Sequence, residues 1–465
     1  MKAFTVKHFY FAAVNRQKGR AMSVNVRLKN NRKATVLIVT IWVTLLLAGL
    51  VIIMGRSLRV DALFAAGSLS TVKCEAAAEG AVDYCLSRIS SEQESSVEYE
   101  QTPFEAMRVG DCYFWAIKPD LSDEDNLTCG LIDEAGKVNL NTASYDMLTK
   151  LPGMTSELAY SIIDWRDGDQ EVSPGGAESE YYLLLDEPYS AKDDDFETVE
   201  EVLLVKGADR EILFGEDTNR NGMLDENEND GTASQPPDDA DGKLDPGFYN
   251  YVTVCSSQPN ESAEGGELIN VNDQSNNMKI FNLLKQSEGE ERAYEILAGI
   301  QTQQRFDNII DFYYTSGMTL EEFEKIGTNL TTSDDDIIKG LINVNSAPYE
   351  VLLCLPGLEE SEVDDLVEYR AENPPEEGGI IWVTQVLEED KAVEIGSFIT
   401  GRSFQYSADI VAASSDGRAF TRYFVIIDTA SDRGTQVIYR QALKHLGWPL
   451  DEQMLQALKN GKQLD

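Results

Sequence analysis

The longest apolar run in the chain is ATVLIVTIWVTLLLAGLVIIMG, Ala34 to Gly55, 22 residues without a charge. About 20 apolar residues let a helix cross a bilayer, so this segment is expected to span a membrane. Apolar or small residues then recur at Leu58, Ala62, Ala65, Leu69, Val72, Ala76, Gly80 and Tyr84 with helical spacing. Together the two predict one helix from Thr35 to about Ile89, roughly 80 Å long at 1.5 Å per residue. Its outer stripe has to bury itself on a domain or on a neighbouring helix.

Beyond a polar stretch, Asp111 to Lys118 (DCYFWAIK) and Thr128 to Asp133 (TCGLID) have strand character, as do Ser403 to Ala413 and Arg418 to Asp428 around a Ser-Ser-Asp-Gly turn. The long segment between these pairs has helical spacing. The simplest architecture is α+β: a long N-terminal helix and one small antiparallel sheet interrupted by a large helical insertion. Two separate β units are the alternative.

The insertion repeats itself. VNLNTASYDMLTKLPGM (138 to 154) and INVNSAPYEVLLCLPGL (342 to 358) align at a constant offset of 204. Both carry two Asn (Asn139 and Asn141; Asn343 and Asn345), a hydroxyl residue suited to capping a helix, and Leu-Pro-Gly, which ends one helix and turns the chain into the next. A fragment, INVN at 269 to 272, is a candidate start for a degenerate third copy. Such helix-hairpin-helix units commonly grip DNA phosphates, but here Met154-Thr155-Ser156-Glu157 and Leu358-Glu359-Glu360-Ser361-Glu362 follow the turns, and Lys150 is the sole basic candidate. They are expected to be structural or to dock proteins.

Charge supports that view. The chain carries 39 Lys plus Arg against 81 Asp plus Glu, a net charge of −42, yet residues 1 to 33 hold nine basic residues and no acid. The positive-inside rule therefore keeps the N-terminal side in the cytoplasm and exports the acidic remainder. No nucleic acid partner is expected, because phosphate binding rests on Lys and Arg. With only His8 and His445 available, His-based catalysis and most zinc sites are excluded, and no enzyme activity is expected. The six Cys include no C-x-x-C pair. In an oxidising compartment Cys112 and Cys129, which bracket a short strand-loop-strand, are the expected disulfide; the alternative is six buried thiols.

The sharpest chemical pattern is DTNRNGMLDENE, Asp217 to Glu228. Asp217, Asn219, Asn221, the Met223 carbonyl, Asp225 and Glu228 occupy the six ligand positions of an EF-hand calcium loop, with Gly222 at the turn and Leu224 at the apolar eighth place. A second, partial loop offers Asp239, Asp241 and Asp245 around Gly242. Asp164, Asp167 and Asp169 with Glu178 read instead as a solvated acidic loop. Oxygen-only ligands favour Ca2+ over a transition metal, in a structural role.

Taken in order, GLIDEAGKVNLNTA, LPGM, DWRDGD, PGGAESEYY, FETVEEVLLVKG, GEDTNRNGMLDENENDG and PPDDADGKLD, between residues 130 and 245, resemble protein K of the general secretion pathway, the large minor pseudopilin family of type II secretion. The resemblance runs from about residue 31 to about 430. It implies a pseudopilin fold, a helix on a small sheet with an inserted helical domain, and a basic leader cut by prepilin peptidase between Ala34 and Thr35, followed by methylation. It also implies an inner-membrane, single-pass protein with a periplasmic C-terminal domain, assembling with minor pseudopilins of the I and J types at the pseudopilus tip. Val39 at the fifth mature position, where most pseudopilins have Glu, fits the K type.

The expected organisation is a leader (1–34), transmembrane and extended helix (35–100), first part of the sheet (101–134), inserted calcium-bearing helical domain (135–402), second part of the sheet (403–429) and a C-terminal tail (430–465). The competing function is a membrane-anchored helix-hairpin-helix DNA receptor of competence type. A calcium-dependent adhesin or enzyme is a third class.

Overall fold

The computed structural model describes residues 32–91, 104–120, 127–234, 237–262, 265–301, 303, 305–375, 378–431 and 434–462. Most of the expected leader lies outside them. The chain divides into two units, residues up to 66 and residues 67–465. The first contains the beginning of the long helix Arg32–Ser91. Its side chains from Val36 to Met54 are exposed apolar groups, and the helix is long and apolar enough to cross a membrane.

In the second unit the rest of this helix covers one face of a seven-stranded antiparallel sheet. The strands run in the order Met107–Val109, Cys112–Lys118, Gln405–Ser414, Phe420–Asp428, Gln436–Ala442, with Thr128–Cys129 beside Cys112–Lys118 and Ile132–Asp133 beside Gln405–Ser414. The expected α+β class, a long apolar helix with an antiparallel sheet, is what the chain adopts.

The helix face that meets the sheet is Cys74, Ala77, Ala78, Ala81, Val82, Cys85 and Ile89, packed on Phe114, Ala116, Ala408, Ile410 and Ala412. This corrects the sequence-based stripe. Leu58, Leu69 and Val72 are exposed, and so is Ala76. Small side chains let helix and sheet backbones approach closely, so the buried face is the alanine row, which hydrophobicity alone underrates.

The C-terminal segment is not a tail. Gln436–Ala442 adds a strand, and Trp448, Leu450, Met454 and Leu458 cover the second face of the sheet over Tyr113, Trp115, Ile117 and Val411. The reason lies in CYFWAIK, whose residues are apolar in succession; a strand apolar on both faces needs a cover on each.

The insertion is built from three modules. Each opens with a two-residue strand and closes with a parallel partner: Val138–Asn139 with Val252–Thr253, Ile269–Asn270 with Leu330–Thr331, and Ile342–Asn343 with Ile399–Thr400. The fragment INVN therefore does begin a third copy. In each module the first Asn accepts the N–H two residues on: Asn139 from Asn141 at 2.9 Å, Asn270 from Asn272 at 2.8 Å, Asn343 from Asn345 at 3.0 Å. The second Asn donates its amide to a carbonyl just past the closing strand, Val254, Thr332 or Gly401. It also bonds an incoming loop, at Phe196, Phe306 or Gly379.

Arg166 and Arg370, again 204 apart, tie the helices after the two Leu-Pro-Gly turns to equivalent carbonyls: Leu140 and Ala143 in one, Val344 and Ala347 in the other. These asparagines are the repeat's fasteners. Replacing Asn272 by Ala should cost about 1–3 kcal/mol, because it strands the buried carbonyls and the N–H it serves; chemical denaturation at constant m-value checks this.

The modules join the sheet through Asp133 and Glu134. Asp133 accepts from Asn343 Nδ2 at 2.9 Å and from the Ser346 and Ser403 hydroxyls, while Glu134 pairs with Lys137 at 2.6 Å and accepts from Thr253 and from Ser407 on the central strand. The first module, residues 138–253, is much longer than 269–331 and 342–400. Its excess length contains all the acidic loops singled out above.

Candidate metal centres

The Asp217–Glu228 loop lies between the short helix Arg210–Phe214 and a single 3-10 turn, Glu226–Glu228. It is thus an EF-hand-like loop without a long exiting helix. Gly222 has φ +73°, and a Cβ on it would come within 2.5 Å of Pro119 Cβ, so glycine is required at the turn. Leu224 is half-buried.

Asp217 is 3% exposed and accepts from Asn221 N at 3.1 Å and Gly222 N at 2.9 Å. Glu228, 2% exposed, accepts from Thr218 N at 2.8 Å and Asp225 N at 3.1 Å. Asp225 accepts from Asn219 Nδ2 at 2.6 Å and Asn221 Nδ2 at 3.3 Å. Burial, then the charge of Glu228, pushes the Asp217 carboxyl up to about 7; burial also raises Asp225 and Glu228. Asn219 Oδ1 is buried with no partner. An orphaned oxygen beside crowded carboxylates is the donor set a hard cation satisfies. The residues present fit calcium.

The loop is also tied to the sheet. Arg422, fully buried on Phe420–Asp428, pairs with Asp409 at 2.5 Å and donates to the carbonyls of Asn219 at 2.6 Å and Arg220 at 2.8 Å. Asn221 Nδ2 donates to Pro449 O at 2.9 Å. Nothing in the sequence motif points to Arg422, which lies about 200 residues away.

The acidic group expected to be a solvated loop is instead a close carboxylate cluster, partly buried. Asp164, Asp167 and Glu178 bring one oxygen each within 4.8 Å of one another. Asp164 is fully buried in the last turn of Ser156–Arg166, where Ser173 N donates to it at 3.1 Å; Glu178 is 2% exposed, and neither of its oxygens has a partner. Burial, with repulsion from Asp164 and Asp167, raises Glu178 to about 7.

Two anchors explain why the loop folds inward. Ala177 and Tyr182 are core residues that pull Glu178 under the surface, and Gly176 has no room for a Cβ against Asp164. The signal available in the sequence was PGGA between the acids: two glycines and an alanine are what a chain needs to pass close to a carboxylate.

The second partial loop differs. Asp239 and Asp241 each accept a backbone N–H two residues on, at 3.0 and 2.8 Å, and Asp245 accepts from Gly247 N at 3.0 Å. These are turn-forming bonds, and the three carboxylates do not form a cluster among the described residues. The loop rests on Glu216, which accepts from Asp239 N at 3.1 Å.

The expected Cys112–Cys129 disulfide is absent. Cys129 pairs with Ile117, five residues along the strand from Cys112, so about 16 Å separates the two rungs at 3.3 Å per residue. A bridge needs Cα atoms within about 7 Å. A strand pair can be closed near its hairpin, but here the hairpin is at the Lys118 end and Cys112 is at the far one. Of the processing residues, Ala34 and Thr35 both lie within the helix Arg32–Ser91. A cleft of about 740 Å³ opens between the second and third modules, bordered by Arg305, Thr331, Trp382 and Arg402, away from the acidic loops.

Residues 130–214, which run from the sheet junction through the Asp164–Glu178 cluster to just before the Asp217–Glu228 loop, match the family described as type II secretion system (T2SS), protein K. Residues 130–214 thus form a protein K domain. Among solved structures, a chain of the GspK-GspI-GspJ complex from the enterotoxigenic Escherichia coli type 2 secretion system is similar over 83% of this chain and 98% of that chain, with 11% identity and a TM-score of 0.38. So remote a likeness carries no argument of its own, and the assignment rests on the protein K domain. No curated protein matches the chain.

Proposed function

We propose that the chain is a minor pseudopilin of a type II secretion system, anchored in the inner membrane with residues after Arg56 in the periplasm, where it caps the pseudopilus tip with partners of the I and J types. The observation that carries this reading is the protein K domain at 130–214 in a chain that also has an apolar helix of membrane length. Basic residues before that helix and acidic mass after it set the orientation. Val39 supports the tip position. An uncharged residue there cannot neutralise the N-terminal amine of a neighbouring subunit inside lipid, so the subunit ends a filament rather than continuing it.

Prepilin peptidase cuts between Ala34 and Thr35, and the new terminus is methylated. The inserted domain is held by calcium, with Asp217, Asn219, Asn221, Met223 O, Asp225 and Glu228 as one ligand set and Asp164, Asp167 and Glu178 as the core of another. Bound calcium supplies positive charge to groups that otherwise repel; the chain supplies the cage, and no chemical step follows. The DNA-receptor alternative meets an obstacle at the hairpins: the N-terminus of the helix Glu360–Glu372 is capped by Glu359 in a reciprocal capping box with Glu362. A carboxylate thus stands where a phosphate would have to bind.

In a type II secretion strain lacking its own protein K, this chain coexpressed with its cognate I- and J-type subunits should restore export, and intact-mass measurement should find a methylated Thr35 terminus. A stable, processed chain that neither restores export nor copurifies with those subunits would overturn the reading.

A further inference from the structure

We propose that Cys74 and Cys112 form a disulfide that staples the N-terminal helix to the sheet. The inference rests on the periplasmic orientation proposed above, since the bond needs an oxidising compartment. Two consecutive positions bring the chains together: Lys73 Nζ meets Asp111 Oδ2 at 2.6 Å, and at the next position on each chain Cys74 and Cys112 pack in one core cluster, near enough for each thiol to affect the other's ionisation. Cys74 lies over the end of the sheet, with its Sγ 3.3 Å from Ala419 O, while Cys112 sits opposite Ser414 on the adjacent strand. Both are sealed, at 0% and 1% exposure, in the same core.

The surroundings determine when the bond can form. Burial pushes the Cys74 thiol up to about 12 and raises Cys112 as well, so in the folded chain neither is a nucleophile at neutral pH. The thiols must react before the helix docks. One, as the thiolate, attacks the disulfide of an extracytoplasmic oxidant protein, and the second then displaces that protein from the mixed disulfide. Two thiols become one S–S bond, and their two electrons and two protons leave with the oxidant as its dithiol. The helix then closes over the finished staple.

The test uses the full chain, taken in detergent from membranes of cells that secrete by this route. Free thiols are alkylated under denaturing conditions before trypsin digestion. Cleavage after Lys73, Arg88, Arg108 and Lys137 separates the two cysteines, Pro119 protecting the bond after Lys118, so a disulfide shows as residues 74–88 linked to 109–137, with Cys85 and Cys129 alkylated and fragmentation placing the bond at Cys112. Four alkylated cysteines of six are expected, and Cys74→Ser should leave Cys112 alkylated. Reductant should lower the melting temperature of the wild type and leave that of Cys74→Ser unchanged. Protease shaving of spheroplasts separates the two ways of failing. Six alkylated cysteines in a chain that is shaved would overturn the disulfide alone; six in a chain that is protected would overturn the orientation and the disulfide with it.

Discussion

Chelating calcium at pH 7.5 will lower the melting temperature of the purified chain by several degrees, and the loss will shrink at pH 5. A cation held at a hundredfold excess over its dissociation constant adds about 2.7 kcal/mol. The pH dependence follows from the cation-free chain, where the Asp217 and Glu178 carboxyls are both raised to about 7 by burial and by neighbouring acids. A carboxyl raised in the folded state binds its proton more tightly there than when unfolded. Its contribution is therefore fully present below the unfolded value near 4 and is lost as pH rises through 7, on the order of 3 kcal/mol for each group.

On the proposed reading, calcium would reverse that loss by replacing the proton. Glu178→Gln should consequently make the chelated chain more stable at pH 7.5 while removing part of the gain from calcium; Asp217→Asn should do the same at the other loop. Calorimetry with calcium and with chelator at both pH values decides the matter. Identical melting in the two at pH 7.5 would rule out a structural cation.

Replacing Arg422 by Met will be at least as damaging, at about 3–5 kcal/mol. The guanidinium is fully buried, and its loss leaves Asp409 as a charge under the surface without its ion pair and leaves the Asn219 and Arg220 carbonyls without a donor. A second substitution, Asp409→Leu, should recover much of the cost, because an apolar pair avoids the desolvation that an ion pair only offsets. The same carbonyls belong to the third and fourth residues of the Asp217–Glu228 loop proposed to hold calcium. Calcium affinity by isothermal titration should therefore fall in the single variant even below its melting point. Unaltered affinity would show that the loop keeps its shape without the sheet.

Particular residues explain how much of this could be read in advance. The membrane helix, the strands around Trp115 and Ile410, the two-copy repeat and the Asp217 loop are local patterns, each carried by fewer than about 25 consecutive residues, and local patterns are what period and motif detect. The second module, which is the third copy of the repeat, kept its two asparagines but lost Leu-Pro-Gly; its Asn277–Glu288 and Glu290–Ile300 helices turn at Gly289 instead. The Asp164–Glu178 cluster was misjudged because composition cannot tell an exposed acid from one folded beneath Ala177 and Tyr182. Extending the 204-residue alignment twelve positions would have disclosed Arg166 and Arg370. Arg422 had no local signature, since its side chain joins Asp409 on the neighbouring strand to the Asn219 and Arg220 carbonyls about 200 residues away.

The path of the chain through the sheet sets an order of events. Trp115 has Val411 as its cross-strand neighbour, so the middle of the sheet cannot be made until nearly the whole chain has been delivered. The three modules close over shorter distances and can assemble as they emerge. Throughout that interval an apolar strand, Cys112–Lys118, waits without its central partner, and so does the alanine face of the helix that the sheet will receive. Nascent chains at this stage are the ones most exposed to aggregation and to proteases. The sheet thereby acts as a completeness check: a chain truncated before residue 405 lacks the two central strands, leaves the helix only the edge around Phe114 and Ala116 to dock on, and cannot complete the core.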